Sequence, residues 1–364
     1  MQVKNLFSCG FIRVTLLCMK NNQLQKIVAP LMAWYAKNAR VLPWRSDPKP
    51  YHVWVSEIML QQTRVEAAIP YYLRFLQRFP TIFDLAQAEE DDYLKMWEGL
   101  GYYARVRNMH RAACMVCEKY RGFLPKQKDL LAELPGIGEY TAGAIASIAY
   151  GQKTAAVDGN VMRIYSRLTE APVYPDDLKA RRNIAAEIED ILPEDPSSFN
   201  QALMDLGATV CLPNTAPLCG ECPLSGLCLA YKHHTCKQFP PVKEKQDKPI
   251  EAYCVFLIHT EEKIVLSRRG NDGLLKNMWE FPNAPGKYDA KWLEDQGIAR
   301  PQTALLGMHK HIFTHRIWEM TGYEIRLGSE VKIPDTWVWV KKQELETSYP
   351  MPKAFGYFKK YLRY

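Results

Sequence analysis

The sequence predicts a multidomain protein, an all-α domain followed by a smaller α+β domain, and three observations predict it. The chain has 364 residues, too many for one ordinary compact core. From Gln23 to about Tyr231 apolar residues recur at helical spacing, whereas beyond about Ile250 the segments are short, β-branched and alternating. Between the two styles lies FPPVKEKQDKPIE, whose prolines and charge run read as an exposed linker. The expected division is a helical domain over 23–237, a linker over 238–249 and a second domain over 250–364.

Within the first domain, Trp54, Ile58, Gln61 and Val65 share one helical face, as do Val161, Ile164, Tyr165 and Leu168. Pro70, Pro80, Pro125 and the Gly99–Gly101 pair are expected to separate segments. In the second domain, AYCVFLIHT and KIVLSRR flank the charged turn Glu261–Glu262 and form a strand pair. TWVWVKK then predicts a strand, and KAFGYFKKYL a helix. No internal repeat is visible.

Hydrophobic content of 47% with 24% charged residues describes a soluble globular chain. The net charge of +7 fits an anionic partner, nucleic acid ahead of membrane, but many basic proteins bind neither and the charge alone decides nothing. Ten cysteines without a secretory signal point to a reducing compartment. Residues 1–22 contain a short apolar stretch that Arg13 interrupts, and Leu17 is a poor neighbour for a lipidated Cys18. This stretch reads as a dispensable extension, and translation can be imagined from Met1 or Met19. No run approaches the ~18 apolar residues of a membrane helix. A cytoplasmic monomer without a membrane partner is expected.

Cys211, Cys219, Cys222 and Cys228 stand at C-x7-C-x2-C-x5-C spacing. Four thiolates so close in sequence suit one soft metal centre, and spacing leaves zinc and [4Fe–4S] both open. Cys114 and Cys117 lie in a helical pattern and read as packing residues; His233, His234 and Cys236 have side chains that could bind a metal too, but they read as solvated linker.

LPGIGEYTAGAIASIAYG joins a turn to a small-residue helix. Gly136 and Gly138 let the backbone turn sharply and bare N–H groups at a helix start, a geometry that holds one phosphate without reading sequence. The L-P-G-x-G core resembles a helix–hairpin–helix DNA-binding element. Glu57, in WVSEIMLQQTRV, shares a face with Trp54, Ile58 and Val65, and a carboxyl among apolar neighbours should have the raised pKa of a general acid. An ordinary solvated glutamate is the alternative. Asp158, in VDGN, precedes a helical pattern, so a plain N-cap competes with a catalytic role.

SEIMLQQTRV, WEGLGYYARVRN, LPGIGEYTAG, AAVDGNVMR and the four cysteines follow one another as in adenine DNA glycosylases of the MutY type, which the chain resembles from about Gln23 to Cys228. The resemblance implies a [4Fe–4S] cluster on Cys211, Cys219, Cys222 and Cys228. It also implies a duplex DNA substrate carrying adenine opposite 8-oxoguanine or guanine. Glu57 is then the acid that protonates the flipped base, and Asp158 the carboxylate that stabilises the sugar cation. Asn160 and Tyr140 position Asp158 and the departing base, Trp44, Arg45 and Gln201 line the adenine pocket, and Gln62 and Tyr102 enter the stack. In the endonuclease III branch a lysine in the hairpin forms a Schiff base; here that residue is Tyr140, and a phenol makes no imine. A monofunctional glycosylase is therefore expected. The competing readings are a bifunctional lyase of the endonuclease III type and a non-catalytic DNA- or nucleotide-binding metal protein.

LSRRGNDGLLKNMWEFPNAP resembles the start of a MutT-like (Nudix) fold, but GKYDAKWLEDQGIA lacks the acid spacing that holds magnesium in those hydrolases. The resemblance makes this a lesion-recognition domain without hydrolase activity. Its Phe-Ser-His loop is here Phe313–Thr314–His315, with core packing of Phe313 as the plainer alternative. The first cysteine spacing is seven where six is commoner, and the enclosed LPNTAPL carries no Lys or Arg.

Overall fold

A computed structural model describes residues 24–242, 247–299 and 301–362. The extension 1–22 and linker residues 243–246 lie outside the described residues. The chain divides into two compact units, Met1–Leu73 with Arg111–Glu244, and Arg74–His110 with Lys245–Tyr364.

The first unit is helical. Its core gathers Val161, Ile164, Phe199, Leu203 and Leu206 with Leu24, Ile27 and Leu31 from the chain's start. The helix Glu139–Tyr150 packs against both Pro50–Leu60 and Pro196–Thr209. Local chemistry fixes the ends of these helices. Pro50 and Pro196 occupy first-turn positions where no N–H is needed, and Asp195 caps the second by accepting from Ser198 N–H. Gly151 ends Glu139–Tyr150 in the left-handed region at φ 66°.

The structure departs from the sequence expectation at two places in this unit. Glu57's helix stops at Leu60, and Val65 opens the next helix, Val65–Arg78, so the shared face does not run on to Gln61 and Val65. The break centres on Gln62, a non-glycine residue at φ 59°. A break of this length hides behind apolar residues that happen to keep helical spacing. Pro70, expected to separate segments, lies inside Val65–Arg78, exposed and near its N-terminal turns.

Among the described residues of the second unit the strands are β1 Ile250–His259, β2 Lys263–Arg268, β3 Trp279–Glu280, β4 Asn283–Pro285, β5 Thr303–Ile312, β6 Ile317–Arg326 and β7 Trp337–Lys341. They form one mixed sheet of order β3-β2-β1-β6-β5, with β4 on β1 and β7 on β2. The β1–β2 hairpin pairs His259 with Ile264 across the predicted turn. β1 runs parallel to β6 from Ile250–Ile317 to His259–Arg326. Buried Trp318, Phe281, Phe355 and Phe358 fill one side of the sheet, and Phe256, Ile258 and Leu293 the other. The predicted C-terminal helix is shorter than expected, Lys353–Gly356 followed by a 3-10 turn, Tyr357–Tyr361.

Residues 74–110, which the sequence assigns to the helical domain, pack with this sheet. Trp279 Nε1 donates to Asp91 Oδ2 at 3.0 Å, Asn277 Nδ2 to Glu90 Oε2 at 2.9 Å, and Lys95 Nζ to the carbonyl of Tyr349 at 3.2 Å. Helical periodicity finds these helices but carries no trace of polar contacts to residues nearly two hundred positions away.

Gly143 sits where the helix Glu139–Tyr150 meets the next segment: a Cβ there would lie 2.3 Å from the carbonyl oxygen of Ala155. Backbone cannot retreat as a flexible side chain can. Gly143→Ala is therefore expected to cost about 1–3 kcal/mol in urea unfolding, although alanine is the better helix former. An unchanged or raised midpoint would contradict this packing.

Candidate active site

The first unit holds a cavity of about 1110 Å³ into which residues from separate motifs project, among them Trp44, Arg45, Glu57, Tyr140, Asp158 and Gln201. Glu57 comes from the middle of a helix whose residues from Val53 to Met59 are all buried. The residue is 5% exposed, and its carboxyl accepts a hydrogen bond from the Tyr140 hydroxyl at 2.6 Å. Tyr140 stands in the first turn of Glu139–Tyr150, immediately after the glycine turn, so the turn delivers the phenol to the acid. Burial pushes the Glu57 carboxyl up to about 7, against the Tyr140 hydrogen bond and the Arg45 charge, which pull it down; the Asp158 charge adds to the rise. Burial and the two carboxylates hold the Tyr140 phenol well above its ordinary range, so it remains a donor.

Asp158 is both an N-cap and a site residue. One oxygen accepts from Val161 N–H at 2.8 Å, and the other from Asn160 Nδ2 at 2.8 Å. Burial raises its pKa, while these donors and Arg163 oppose the rise. The capping that competed with catalysis at the sequence level thus fixes the carboxylate in the cavity. Asn160 is itself held by Arg163, whose Nη2 donates to Asn160 Oδ1 at 2.8 Å and to the carbonyl of Gly207 at 2.9 Å. Gly207 permits the approach: a Cβ there would lie 2.5 Å from Asn160 Cβ.

Trp44 is buried and meets Tyr72 edge-on at 5.3 Å. Arg45 donates through Nη1 and Nη2 to the two oxygens of Asp205, each at 2.8 Å. Arg40 donates to Asp205 through Nε at 2.8 Å, so one fully buried carboxylate orients two guanidiniums at the cavity wall. Gln201 is half-buried and bonds Ser197, and Gln62 is exposed at the rim. Gly136 takes the left-handed φ of 79° that a β-carbon resists. Gly138 is extended, and a Cβ there would meet open space, so its place before the helix leaves room for an approaching group.

Tyr102, Phe313, Thr314 and His315 belong to the second unit. Phe313 packs edge-on against Trp318 at 4.8 Å, so the core-packing alternative describes its ring. Thr314 and His315 are exposed, and the Tyr102 hydroxyl lies 2.7 Å from Thr314 Oγ1. Tyr102 has φ 50° and remains half exposed.

Cys211, Cys219, Cys222 and Cys228 ring one small cavity beside Arg167, whose Nη1 donates to Cys211 Sγ at 3.1 Å. Burial and neighbouring thiols push Cys219 up to about 12, and burial pushes Cys222 up to about 11. Four thiols on one cavity with a guanidinium to offset thiolate charge fit an iron–sulfur cluster. Among the described residues no three His, Cys, Asp or Glu side chains converge as the ligands of a single ion do. Arg163 Nε donates to the carbonyl of Cys211 at 2.8 Å, so the Asp158–Asn160–Arg163 chain ends on the first of these cysteines. Arg40, Arg163 and Asp205 carry no signal that the sequence reading used, and Cys236, which that reading set aside as linker, lies on the cavity wall. The arginine in the AAVDGNVMR motif and the fifth cysteine of the tail were the available signals.

Residues 55–190 match the model of the HhH-GPD superfamily of base excision DNA repair proteins, and residues 253–361 match the NUDIX domain. An adenine DNA glycosylase of Arabidopsis thaliana is 40% identical over 72% of this chain, which spans 48% of that protein. The adenine DNA glycosylase of Rattus norvegicus is 33% identical, covering 92% of this chain and 78% of its own length. That of Buchnera aphidicola from Acyrthosiphon pisum is 35% identical, covering 82% and 85%. Among solved structures, a thermostable thymine-DNA glycosylase aligns at 26% identity and TM-score 0.54 over 59% of this chain and 99% of its own. Relatives that match most of this chain and most of their own length decide what the two partial family matches leave open: the chain belongs to the adenine DNA glycosylase family.

Proposed function

We propose that this glycosylase hydrolyses the N-glycosidic bond of adenine opposite 8-oxoguanine or guanine in duplex DNA, as a monofunctional enzyme. The single observation that carries the reading is the buried Glu57 carboxyl, held near neutrality and bonded to Tyr140, in the same cavity as Asp158. Extraction of the base from the stack costs a few kcal/mol, which Gln62 and Tyr102 help offset from the strand side. Trp44, Arg45 and Gln201 receive the adenine. Glu57 gives its proton to the five-membered ring of the base, which then leaves as a neutral group. The sugar cation so formed faces Asp158, whose negative charge Asn160 Nδ2 and Val161 N–H keep in place, and water adds to it with loss of a proton to complete the hydrolysis.

Tyr140 replaces the amine that a lyase needs, and no lysine stands among the described residues lining the cavity. The Gly136–Gly138 turn grips a phosphate, and the Phe313–Thr314–His315 loop inspects the base opposite adenine. Cys211, Cys219, Cys222 and Cys228 hold a [4Fe–4S] cluster, which supplies a rigid cross-link for the loop-rich tail. The protein acts as a monomer on nucleoid DNA in the cytoplasm. The described helices are all too short or too polar to cross a membrane.

Glu57 must be protonated and Asp158 ionised. Single-turnover adenine release should therefore fall about tenfold per pH unit above about 7 and fall again in acid, as Asp158 protonates through its raised pKa. A rate that stays flat or rises above pH 7 contradicts the acid assignment. Glu57→Gln should retain mismatch binding and lose about 10²–10⁴-fold in base release. Because the folded-state pKa is raised, Glu57 stabilises the fold below its ordinary 4.5 and loses that contribution as pH rises through about 7. At about pH 8 the glutamine variant should be more stable than the parent, by up to about 3 kcal/mol in urea unfolding.

Gly207→Ala pushes on Asn160 and should cut single-turnover release about tenfold or more while leaving duplex affinity within about threefold. Equal parent and variant rates would remove Asn160 from the account. With excess protein on a duplex holding one adenine opposite 8-oxoguanine, strand cleavage should appear only after alkali. Cleavage without alkali means that a lyase nucleophile exists despite Tyr140.

A further inference from the structure

The cavity ringed by the four predicted ligands has a fifth thiol on its wall, Cys236. Read from sequence, the His233–Cys236 stretch is solvated linker; the structure ties it down. His233 Nδ1 lies 2.8 Å from Glu170 Oε2, and the Thr235 hydroxyl donates to the other oxygen of that carboxylate. Thr235 N–H donates to the carbonyl of Ala230 at 2.8 Å. Arg167 Nε donates to the carbonyl of Cys236 at 3.1 Å, while Nη1 of the same guanidinium reaches Cys211 Sγ. Cys236 is therefore fixed at the cavity by the residue that also contacts the first ligand.

The four ligands are not equally anchored. Cys211, Cys222 and Cys228 pack against the helical core, whereas Cys219 does not. Cys219 follows the seven-residue loop LPNTAPL and opens a short 3-10 turn, Cys219–Glu221. The Cys236 thiol lines the same small cavity as Cys219, Cys222 and Cys228. The spare thiol thus stands beside the ligand with the weakest hold on the fold.

We propose that Cys236 is an alternative ligand of the cluster site that exchanges with Cys219. The proposal rests on the reading that this cavity holds a [4Fe–4S] cluster. In the exchange, Cys236 sulfur bonds to iron and gives up its proton, and the iron–sulfur bond to Cys219 breaks as that thiolate takes the proton up. No electron moves, so neither oxidant nor reductant is required.

The test begins with iron and sulfide content and cluster absorbance of the parent chain after anaerobic reconstitution, then compares Cys219→Ser, Cys211→Ser and Cys219→Ser/Cys236→Ser. Cys219→Ser should keep more than about half of the parent's iron, while Cys211→Ser and the double variant keep less than about a tenth. Loss of iron from Cys219→Ser equal to that of the double variant overturns the proposal. A parent without iron overturns the cluster reading as well. Slow alkylation of the iron-loaded parent, followed by peptide mass spectrometry, avoids any folding defect in the variants. Label divided between Cys219 and Cys236 supports exchange, and label on Cys236 alone overturns it.

Discussion

The hydrogen bond from Tyr140 to Glu57, 2.6 Å long and buried, joins the two halves of this site. One partner comes from the centre of an apolar helix and the other from the first turn of the helix that follows the glycine turn. Burial alone favours a neutral carboxyl, and the phenol moderates that preference by donating to it. The balance leaves an acid near neutrality with a tyrosine that cannot easily lose its own proton. The buried residues on either side of Glu57 in its helix matter because they keep water from restoring the carboxylate's ordinary solvation.

A second constraint runs from Asp158 outward. Its carboxylate is fixed by the start of its own helix and by Asn160, Asn160 by Arg163, and Arg163 by backbone carbonyls at Gly207 and Cys211. The cysteine tail is thus not a remote appendix. Displacement of the chain at Cys211 is felt by the residue that orients Asp158, which gives the tail's integrity a direct route to the chemistry. Gly207 keeps this chain compact because any side chain there meets Asn160.

Much of the fold was legible in the sequence because it depends on periodicity. The change from helical spacing to β-branched alternation marks the helical glycosylase fold and the NUDIX fold that follows it. The motif order likewise named residues that the structure brings into one cavity. What escaped depends on contacts without a spacing signature. Arg45 and Asp205 are 160 positions apart, and nothing in either neighbourhood announces their pairing. Residues 74–110 gave a clear helical pattern, yet their packing with the sheet rests on Glu90 and Asp91 meeting Asn277 and Trp279. The turn at Gln62 was hidden by apolar residues on both sides of it, and Cys236 by the polar residues around it.

Everything in this chemistry depends on the fold holding the Glu57 carboxyl protonated near neutral pH. Isotope-edited infrared titration of the folded protein, with Glu57→Gln as the subtraction reference, reads that carboxyl directly. A protonated-carboxyl band that disappears with a midpoint at about 7 is the expected result. A band already lost near the ordinary 4.5 would mean that Glu57 is ionised at neutral pH and that the proton given to the leaving base has another source.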